Sequence, residues 1–223
     1  MGPEELTVLR HAESRGNVAD VEAHRRGADR IDLGGRDADV RLSDRGIVQA
    51  GSLAERIAAL PAGERPTYLL SSPFRRTVDT VRPVAAALGL DVALDERLRE
   101  KDMGVFSGMT AIGMQAADPA EVERHKLLGR FYYEPPGGES MADVALRVRS
   151  VLADLRHGFE GARVAIVTHE AVVMAFRYVL ETMTEQEFLD LDGSRRVANA
   201  GGCSYRRKGD DLVLAEVLES PPE

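Results

Sequence analysis

The sequence predicts a layered α/β domain built around a parallel sheet. Strand-like and helix-like patterns alternate along most of the chain, which is typical of this class. The 223 residues are 43% hydrophobic, enough for one well-buried core. Three short apolar runs also end in basic or imidazole side chains. Because the carboxyl ends of parallel strands share one crevice, where ligands bind, we expect these three ends to meet at one site.

The three strand ends concentrate positive charge and hydrogen-bond donors. Such a concentration suits a compact anion, and phosphate is the obvious candidate. The groups are, in chain order, Arg10 and His11 after residues 6–9, Arg75 and Arg76 after residues 67–70, and His169 after residues 164–167.

The first half of the chain supplies two of these strands. Residues 13–41 are polar and rich in Gly, Asp and Arg, so we expect a loop with a short helix beside the site. Ser43 caps an amphipathic helix that ends at Pro61 and Gly63. Its predicted apolar stripe is Ile47, Ala50, Leu53, Ala54, Ile57 and Leu60. A strand at 67–71, a helix at about 75–88 and a short strand at 92–94 follow.

The second half contains an interruption. Residues 103–138 combine glycines, a charged helix at about 121–128 and an aromatic run at 131–133. We predict one domain over residues 1–223, with this segment inserted as a small helical cap over the pocket. The remaining predicted elements are a helix from Ser140, a strand at 164–168, a helix at 171–180, and a hairpin of 203–207 and 212–218.

Charge and composition restrict the partners. The net charge of -8 argues against nucleic acid and anionic membranes. No apolar run approaches the roughly 20 residues that span a bilayer.

Cys203 is the single cysteine, which excludes a disulfide framework and a thiolate metal cluster. The first residues show no charged-then-apolar leader, so we expect a cytoplasmic protein that binds a small phosphorylated metabolite. We leave a homodimer open.

His11 is the predicted nucleophile. A neutral imidazole nitrogen attacks phosphorus near neutral pH without a separate base, which would give a phosphohistidine. The charge of that transition state lies on the equatorial oxygens, so fixed donors must surround them. With such donors present, we predict neither a metal ion nor a cofactor. The candidate donors are Arg10, Asn17, Arg76 and His169.

An isolated Arg–His pair after a strand is more often structural than catalytic, so the second strand end decides. Its two arginines open a helix, where the dipole favours a bound anion and disfavours cations. We therefore assign Arg76 to the pocket and Arg75 to the surface. For His169, a buried structural histidine is the alternative.

Glu100 is the predicted proton donor. It follows the third predicted strand and so falls near the same crevice. A general acid at this position needs a carboxyl group whose pKa is raised by burial. Asp102 is the competitor, and a charge run of this kind is usually a solvated turn.

Five motifs of the chain resemble those of the histidine phosphatase superfamily, in the branch similar to cofactor-dependent phosphoglycerate mutases. They occur in the family's order from about residue 5 to 205. The motifs are Arg10-His11 with Glu13, Ser14 and Asn17; Ser71-Ser72-Pro73 with Arg76; Glu100 with Gly104 and Gly108; residues 136–140; and Thr168-His169.

This resemblance implies a three-layer α/β/α sandwich around a mostly parallel sheet with one antiparallel strand. It also implies that His11 is phosphorylated and that Glu100 donates a proton. Two residues depart from the family pattern. Ala12 replaces a glycine, which we expect to be harmless. Glu170 replaces a small residue, and it either points away from the anion site or selects a substrate with its own cation or hydroxyls.

We predict a phosphatase that acts on a small phosphomonoester. A mutase must exclude water and needs basic cap residues for the substrate carboxylate. Arg130 is a candidate for that contact, but the rest of the cap is acidic, and the segment after Glu100 lacks the aromatic residue expected in the mutase. Phosphoglycerate mutase-type transfer, an isomerase reaction, and a non-catalytic phosphate-binding domain are the alternatives. Tyr132 and Tyr133 are either ring-stacking contacts or packing residues of the cap.

Overall fold

A six-stranded mixed sheet forms the centre of the molecule in the computed structural model, which describes residues 2–194 and 197–221. Its strands lie in the order β3-β2-β4-β1-β5-β6. Four neighbouring strands, from β3 to β1, are parallel. Their bounds and those of the last two are β1 (Glu5–Arg10), β2 (Tyr68–Ser71), β3 (Val92–Leu94), β4 (Arg163–Thr168), β5 (Gly202–Lys208) and β6 (Asp211–Leu218).

The last two strands form the predicted hairpin at one edge of the sheet. β5 is antiparallel to β1, and β6 is antiparallel to β5. β5 is therefore the one strand of the described sheet that runs against the others. The fold implied by the family resemblance, a mostly parallel sheet with one antiparallel strand, is confirmed.

Helices cover both faces of this sheet and complete the three-layer sandwich. α2 packs beside α3 on one face, and α6 packs beside α7 on the other. No helix of the described residues is both long and apolar enough to cross a membrane. The helices are α1 (Arg15–Arg26), α2 (Asp44–Ala58), α3 (Arg75–Leu88), α4 (Ala111–Ala117), α5 (Pro119–Tyr132), α6 (Met141–Gly158), α7 (Glu170–Leu180) and α8 (Glu185–Ser194).

The alternation of side chains along the central strands produces two separate cores. Successive residues of a strand point to opposite faces, so one strand serves both helical layers. Leu6 and Val8 of β1 belong to the core beneath α6 and α7, whereas Leu9 belongs to the core beneath α2 and α3. The central strands are therefore apolar on both faces, as expected for a parallel sheet.

Two local predictions need correction. The polar stretch before Ser43 contains a full helix of 12 residues, α1, rather than a short one. The side chain of Ser14 caps the start of this helix, and Gly27, with a left-handed backbone, ends it. Sequence periodicity did not reveal the helix, because it does not carry an apolar stripe. In α2, Ile47 is exposed, and Gln49 occupies the buried face. Gln49 belongs there because its side chain accepts a hydrogen bond from Glu13 N (2.8 Å).

The segment predicted as a cap contains a single 3₁₀ turn (Gly104–Phe106), α4 and α5. α5 is longer than the predicted helix at 121–128 and is interrupted at Gly129, whose φ of 75° is left-handed. Met103, Ser107 and Gly108 reach the cavity described below. The assignment of one domain with an inserted cap stays a prediction.

Candidate active site

The ends of three adjacent strands place the predicted site residues side by side. In the register of the sheet, Arg10 of β1 pairs with Thr168 of β4, and Ser71 of β2 pairs with Val167. The chain continues this pairing past the strand ends, where His11 N donates to the Thr168 carbonyl oxygen (2.9 Å). The three basic strand ends of the sequence therefore meet at the carboxyl ends of the parallel strands.

His11 is a buried imidazole with a defined tautomer. Its Nδ1 lies 2.7 Å from the carbonyl oxygen of Ala12, which can only accept, so Nδ1 carries the proton. Nε2 is then the unprotonated nitrogen, and it accepts a hydrogen bond from Arg76 Nε (3.2 Å). Burial, followed by the neighbouring Arg76 guanidinium, holds the pKa of His11 well below its ordinary value. The nitrogen with nucleophilic character is therefore neutral and faces a guanidinium group.

His169 is fully buried, and its ring centroid lies 5.3 Å from that of His11. Nε2 forms a hydrogen bond with Ser72 Oγ (2.9 Å). Nδ1 has no hydrogen-bond partner among the described residues and lies 4.0 Å from Glu100 Oε2. Burial and the Arg76 charge also keep the pKa of His169 well below its usual range. Because a buried unsatisfied ring nitrogen is costly, this atom is suited to a ligand.

Arg76 is buried at the start of α3, and its guanidinium forms a two-pronged pair with Asp37. Nη1 donates to Asp37 Oδ1 (3.0 Å), and Nη2 donates to Oδ2 (3.1 Å). The guanidinium carbon also lies 5.0 Å from the centre of the Phe74 ring. Arg75 turns away from the site and pairs with Asp79 (3.1 Å). The structure thus places Arg76 in the cavity wall and Arg75 outside it.

Arg10 is held from two sides. Its Nη1 donates to the Val197 carbonyl oxygen (2.6 Å) and lies 3.1 Å from Glu170 Oε2. Glu170 is the first residue of α7, and it points toward the anion site rather than away from it. The other departure from the family pattern, Ala12, has its methyl group buried in the core beneath α2 and α3.

Glu100 lies beside the His169 ring and is partly open to solvent. Its side chain is 27% exposed, and Oε1 accepts a hydrogen bond from Lys101 N (2.9 Å). Desolvation raises the pKa of Glu100, although the nearby guanidinium groups oppose this shift. The competitor Asp102 instead accepts from Gly104 N (2.8 Å) in an exposed turn. The geometry therefore favours Glu100 as the proton donor.

Asn17 belongs both to a helix cap and to the cavity wall. Its Oδ1 accepts from Ser14 N (3.0 Å) and from Asn199 Nδ2 (3.3 Å). Since the oxygen is engaged in these contacts, the amide nitrogen is the part of Asn17 suited to a phosphoryl oxygen. Asn199 also donates to the His11 carbonyl oxygen (3.1 Å). No sequence motif points to Asn199, because it lies in an irregular loop.

A cavity of about 390 Å³ is lined by Arg10, His11, Asn17, Arg76 and Glu100, whereas His169 and Asn199 lie outside its described lining. A second cavity of about 400 Å³ opens near Glu5 and Arg163, at the opposite ends of the strands, and holds neither imidazole. Among the described residues, no three His, Cys, Asp or Glu side chains are grouped to hold a metal ion. The wall of the first cavity also includes Asp20, Ile31, Leu33, Asp37, Arg99, Lys101, Asp102, Met103, Ser107 and Gly108.

The cap residues singled out in the sequence lie outside the described lining of this cavity. Tyr133 is buried, packs on His125 with ring centroids 4.6 Å apart, and donates its hydroxyl to Glu121 (3.1 Å). Tyr132 is half exposed and donates to Glu185. These contacts support packing roles for both rings. Arg130, the candidate for a substrate carboxylate, is likewise not part of the described wall.

Comparison with known proteins gives the site its family context. The model of the histidine phosphatase superfamily (branch 1) matches residues 6–217. The chain is 35% identical over 180 residues to bifunctional protein Rv2228c of Mycobacterium tuberculosis, covering 80% of this chain and 45% of that protein. It is 37% identical over 133 residues to the probable phosphoglycerate mutase GpmB of an Enterobacter species, covering 59% of each. The chain thus spans about half the length of these curated relatives.

Solved structures show the same fold over nearly the whole chain. The mycobacterial glucosyl-3-phosphoglycerate phosphatase Rv2419c is 25% identical and superposes with a TM-score of 0.74, covering 98% of this chain and 99% of that one. A putative alpha-ribazole-5'-phosphate phosphatase of Escherichia coli superposes with a TM-score of 0.79 at 20% identity, covering 98% and 97%. At that identity the second comparison shows the fold alone. The family match over residues 6–217 confirms the resemblance found in the motifs: this chain belongs to the histidine phosphatase superfamily.

Proposed function

We propose that this protein is a phosphatase that hydrolyses a small phosphomonoester through a phosphohistidine on His11, without a metal ion. One observation carries the proposal above all others: the neutral Nε2 of His11 lies against the Arg76 guanidinium, in the cavity that also holds Glu100. Nucleophile, charge clamp and proton donor therefore share one small space. The reaction follows from their chemistry.

In the first half of the reaction, His11 Nε2 forms a bond to phosphorus while the bond to the leaving oxygen breaks. The raised pKa of Glu100 favours its protonated form, which donates the proton to that oxygen. Donors around the cavity stabilise the charge on the phosphoryl oxygens. These donors are Arg10, Asn17, Arg76 and His169.

In the second half, water attacks the phosphohistidine. The Glu100 carboxylate, now deprotonated, accepts the proton of that water, and the P–N bond breaks to release phosphate and neutral His11. The low pKa of His11 favours its departure as a neutral imidazole. Both residues thus return to their starting protonation states, and the protein residues described here supply each proton transfer.

Phosphoglycerate mutase-type transfer is the second candidate. Arg99 and Lys101 are part of the cavity wall and suit a substrate carboxylate, and one relative is named a probable phosphoglycerate mutase. Asp20, Asp37 and Asp102 line the same cavity and repel such a carboxylate. The acidic side of the wall therefore favours the phosphatase. A non-catalytic phosphate-binding domain fits poorly, because the complete set of predicted reacting groups is present.

A panel of phosphomonoesters tests the reaction type. The purified protein is incubated in EDTA with aryl and alkyl phosphates and with 3-phosphoglycerate. Release of inorganic phosphate is the expected result. Formation of 2-phosphoglycerate would support the mutase, and loss of phosphate release in EDTA would contradict the metal-independent mechanism.

Replacement of the nucleophile tests the intermediate. His11→Ala is expected to abolish turnover, because it removes the nitrogen that forms the bond to phosphorus, while Nε2 of the neighbouring His169 is engaged with Ser72 Oγ. His157→Ala, at the far end of α6, is the matched control and retains full activity. Rapid-quench trapping detects an acid-labile phosphoryl group on wild type. Turnover that survives in His11→Ala would refute the assigned nucleophile.

A further inference from the structure

The segment that carries Glu100 has no regular secondary structure of its own. Residues 99–103 lie in neither a helix nor a strand. A general acid must nevertheless stay within hydrogen-bond reach of the leaving oxygen. Side-chain contacts from elsewhere must therefore fix the position of this segment.

Glu139 supplies such contacts on both sides of Glu100. Its Oε1 accepts a hydrogen bond from Arg99 Nη2 (2.7 Å), one residue before Glu100. Its Oε2 accepts from Asp102 N (3.1 Å), two residues after Glu100. Glu139 N also donates to the Asp102 carbonyl oxygen (2.9 Å). One residue thus holds the segment at both ends.

Arg147 of α6 fixes the carboxylate that makes these contacts. Its Nε donates to Glu139 Oε1 (2.8 Å), and its Nη2 donates to Oε2 (3.0 Å). The Glu139 and Arg147 side chains are only 12% and 13% exposed, so solvent screens this charged pair weakly. The remaining Nη1 of Arg147 donates to the carbonyl oxygen of Arg97, which lies in the 3₁₀ turn (Glu96–Leu98) that leads into the segment.

The backbone around Glu139 also leaves no space for a shift. A Cβ built on Gly138 would lie 2.6 Å from the Asp102 carbonyl oxygen, and one on Gly104 would lie 2.2 Å from the Pro136 carbonyl oxygen. The two backbones therefore cross at van der Waals distance. This close crossing lets Glu139 reach both neighbours of Glu100 at once.

We propose that Glu139 is a positioning residue that sets the place of Glu100 as proton donor. Glu139 does not touch the reacting groups; it acts through the backbone and side chains on either side of the acid. This inference rests on the proposed phosphatase function. Loss of Glu139 should therefore slow the hydrolysis of some substrates more than others. Substrates with poor leaving groups need the acid, whereas aryl phosphates with good leaving groups need it far less.

A double-mutant cycle tests the inference on the full chain. Wild type, Glu100→Gln, Glu139→Gln and the double variant are assayed with an alkyl phosphate and with p-nitrophenyl phosphate. Glu139→Gln is expected to lower kcat for the alkyl phosphate by roughly 10- to 100-fold, since a misplacement of about 1 Å can cost 10²-fold. Its effect on p-nitrophenyl phosphate is expected to be small. In the Glu100→Gln background, Glu139→Gln is expected to cost nothing further.

Glu181→Gln is the matched control. Glu181 accepts from Arg177 Nε (2.9 Å) and Arg177 Nη2 (3.1 Å) in an ion pair at the end of α7 that is about as little exposed as the Glu139–Arg147 pair. It is expected to lower the free energy of unfolding without changing the ratio of the two activities.

The outcomes separate this inference from the function on which it rests. A wild-type protein that hydrolyses neither ester overturns the proposed function. If wild type and Glu100→Gln behave as expected, the positioning role is overturned by equal losses on both esters in Glu139→Gln, or by a further loss in the double variant. An unaltered Glu139→Gln overturns it as well.

Discussion

The two guanidinium groups of the site are each paired with a carboxylate, and the two carboxylates differ in how easily they can move. Glu170, beside Arg10, is fixed in the first turn of α7. Asp37, beside Arg76, lies in a single 3₁₀ turn (Asp37–Asp39), and its side chain is 37% exposed. A phosphoryl group that binds Arg76 in two-pronged fashion must compete with the Asp37 carboxylate. Asp37 therefore lowers the affinity of the site for phosphate.

Asp37→Asn is accordingly expected to tighten inhibition by inorganic phosphate about fivefold, because a partly exposed ion pair contributes about 1 kcal/mol. The inhibition constant is measured under the conditions of the phosphatase assay. Asp39→Asn is the control, since Asp39 pairs with the exposed Arg36 (2.7 Å) on the same turn. Weaker phosphate inhibition in Asp37→Asn would show instead that Asp37 orients Arg76 for the ligand.

At the scale of elements, the N-terminal part of α2 and its cap residue Ser43 support the loop that follows the nucleophile. Ser43 N donates to the Glu13 carbonyl oxygen (3.0 Å), and Gln49 accepts from Glu13 N. Gly46 lies directly beneath this loop, where a Cβ would come within 1.9 Å of the Glu13 carbonyl oxygen. The helix can approach so closely only because Gly46 has no side chain.

The two glycines of α2 therefore give opposite predictions. Gly46→Ala is expected to lower the free energy of unfolding by about 1–3 kcal/mol, as overpacking does, and to reduce kcat/KM by displacing the loop after His11. Gly51→Ala, on the same helix with open space around it, is expected to raise the free energy of unfolding by up to about 1 kcal/mol. Urea denaturation of both variants measures these changes. Equal effects would mean that the close approach does not constrain the helix.

For the whole molecule, the sequence predicts the parts that depend on periodicity and on strand ends. Side chains of the central strands alternate between the two cores, so the three layers follow from a local pattern. Arg10, Arg76 and His169 lie at or just after the ends of these strands, so the place of the site also follows from a local pattern. The role of Asp37 could not be found in this way, because its partner Arg76 lies 39 residues further along the chain. Glu139 belongs to one of the five motifs, but its contacts with Arg99 and Asp102 span 40 and 37 residues, so no local pattern reveals them. Ile47 was misassigned because the buried face of α2 includes a polar Gln49, which contacts a loop rather than the apolar core.

The buried imidazoles also make the stability of the whole protein depend on pH. The pKa values of His11 and His169 are held well below their ordinary values, chiefly by burial. Below about pH 6.5 the unfolded chain binds protons at both residues, whereas the folded protein does not. The free energy of unfolding is therefore expected to fall as the pH drops from 7 toward 5, with a slope that approaches about 1.4 kcal/mol per pH unit for each histidine below about pH 6.5. The raised pKa of Glu100 opposes this trend, because the folded state takes up that proton at higher pH.

Urea denaturation at pH 7, 6 and 5 measures this dependence. His169→Gln keeps a hydrogen-bonding group for Ser72 but removes one titrating ring, so the slope is expected to fall by about half relative to wild type. Measuring the same variant in the Glu100→Gln background removes the opposing carboxyl group. A slope that is unchanged in His169→Gln would contradict the assignment of that histidine as buried and neutral.

The position of β4 between β2 and β1 determines when the site can exist during folding. β4 comes from the later part of the chain, yet it must insert between two strands from the earlier part before their ends become neighbours. Closing such long loops is slow, because the entropy is lost before the contacts form. In a nascent or refolding chain that has formed only the N-terminal elements, His11 and Arg76 are therefore not yet brought together at one site. Recovery of phosphate affinity after dilution from denaturant thus reports the completion of the central sheet.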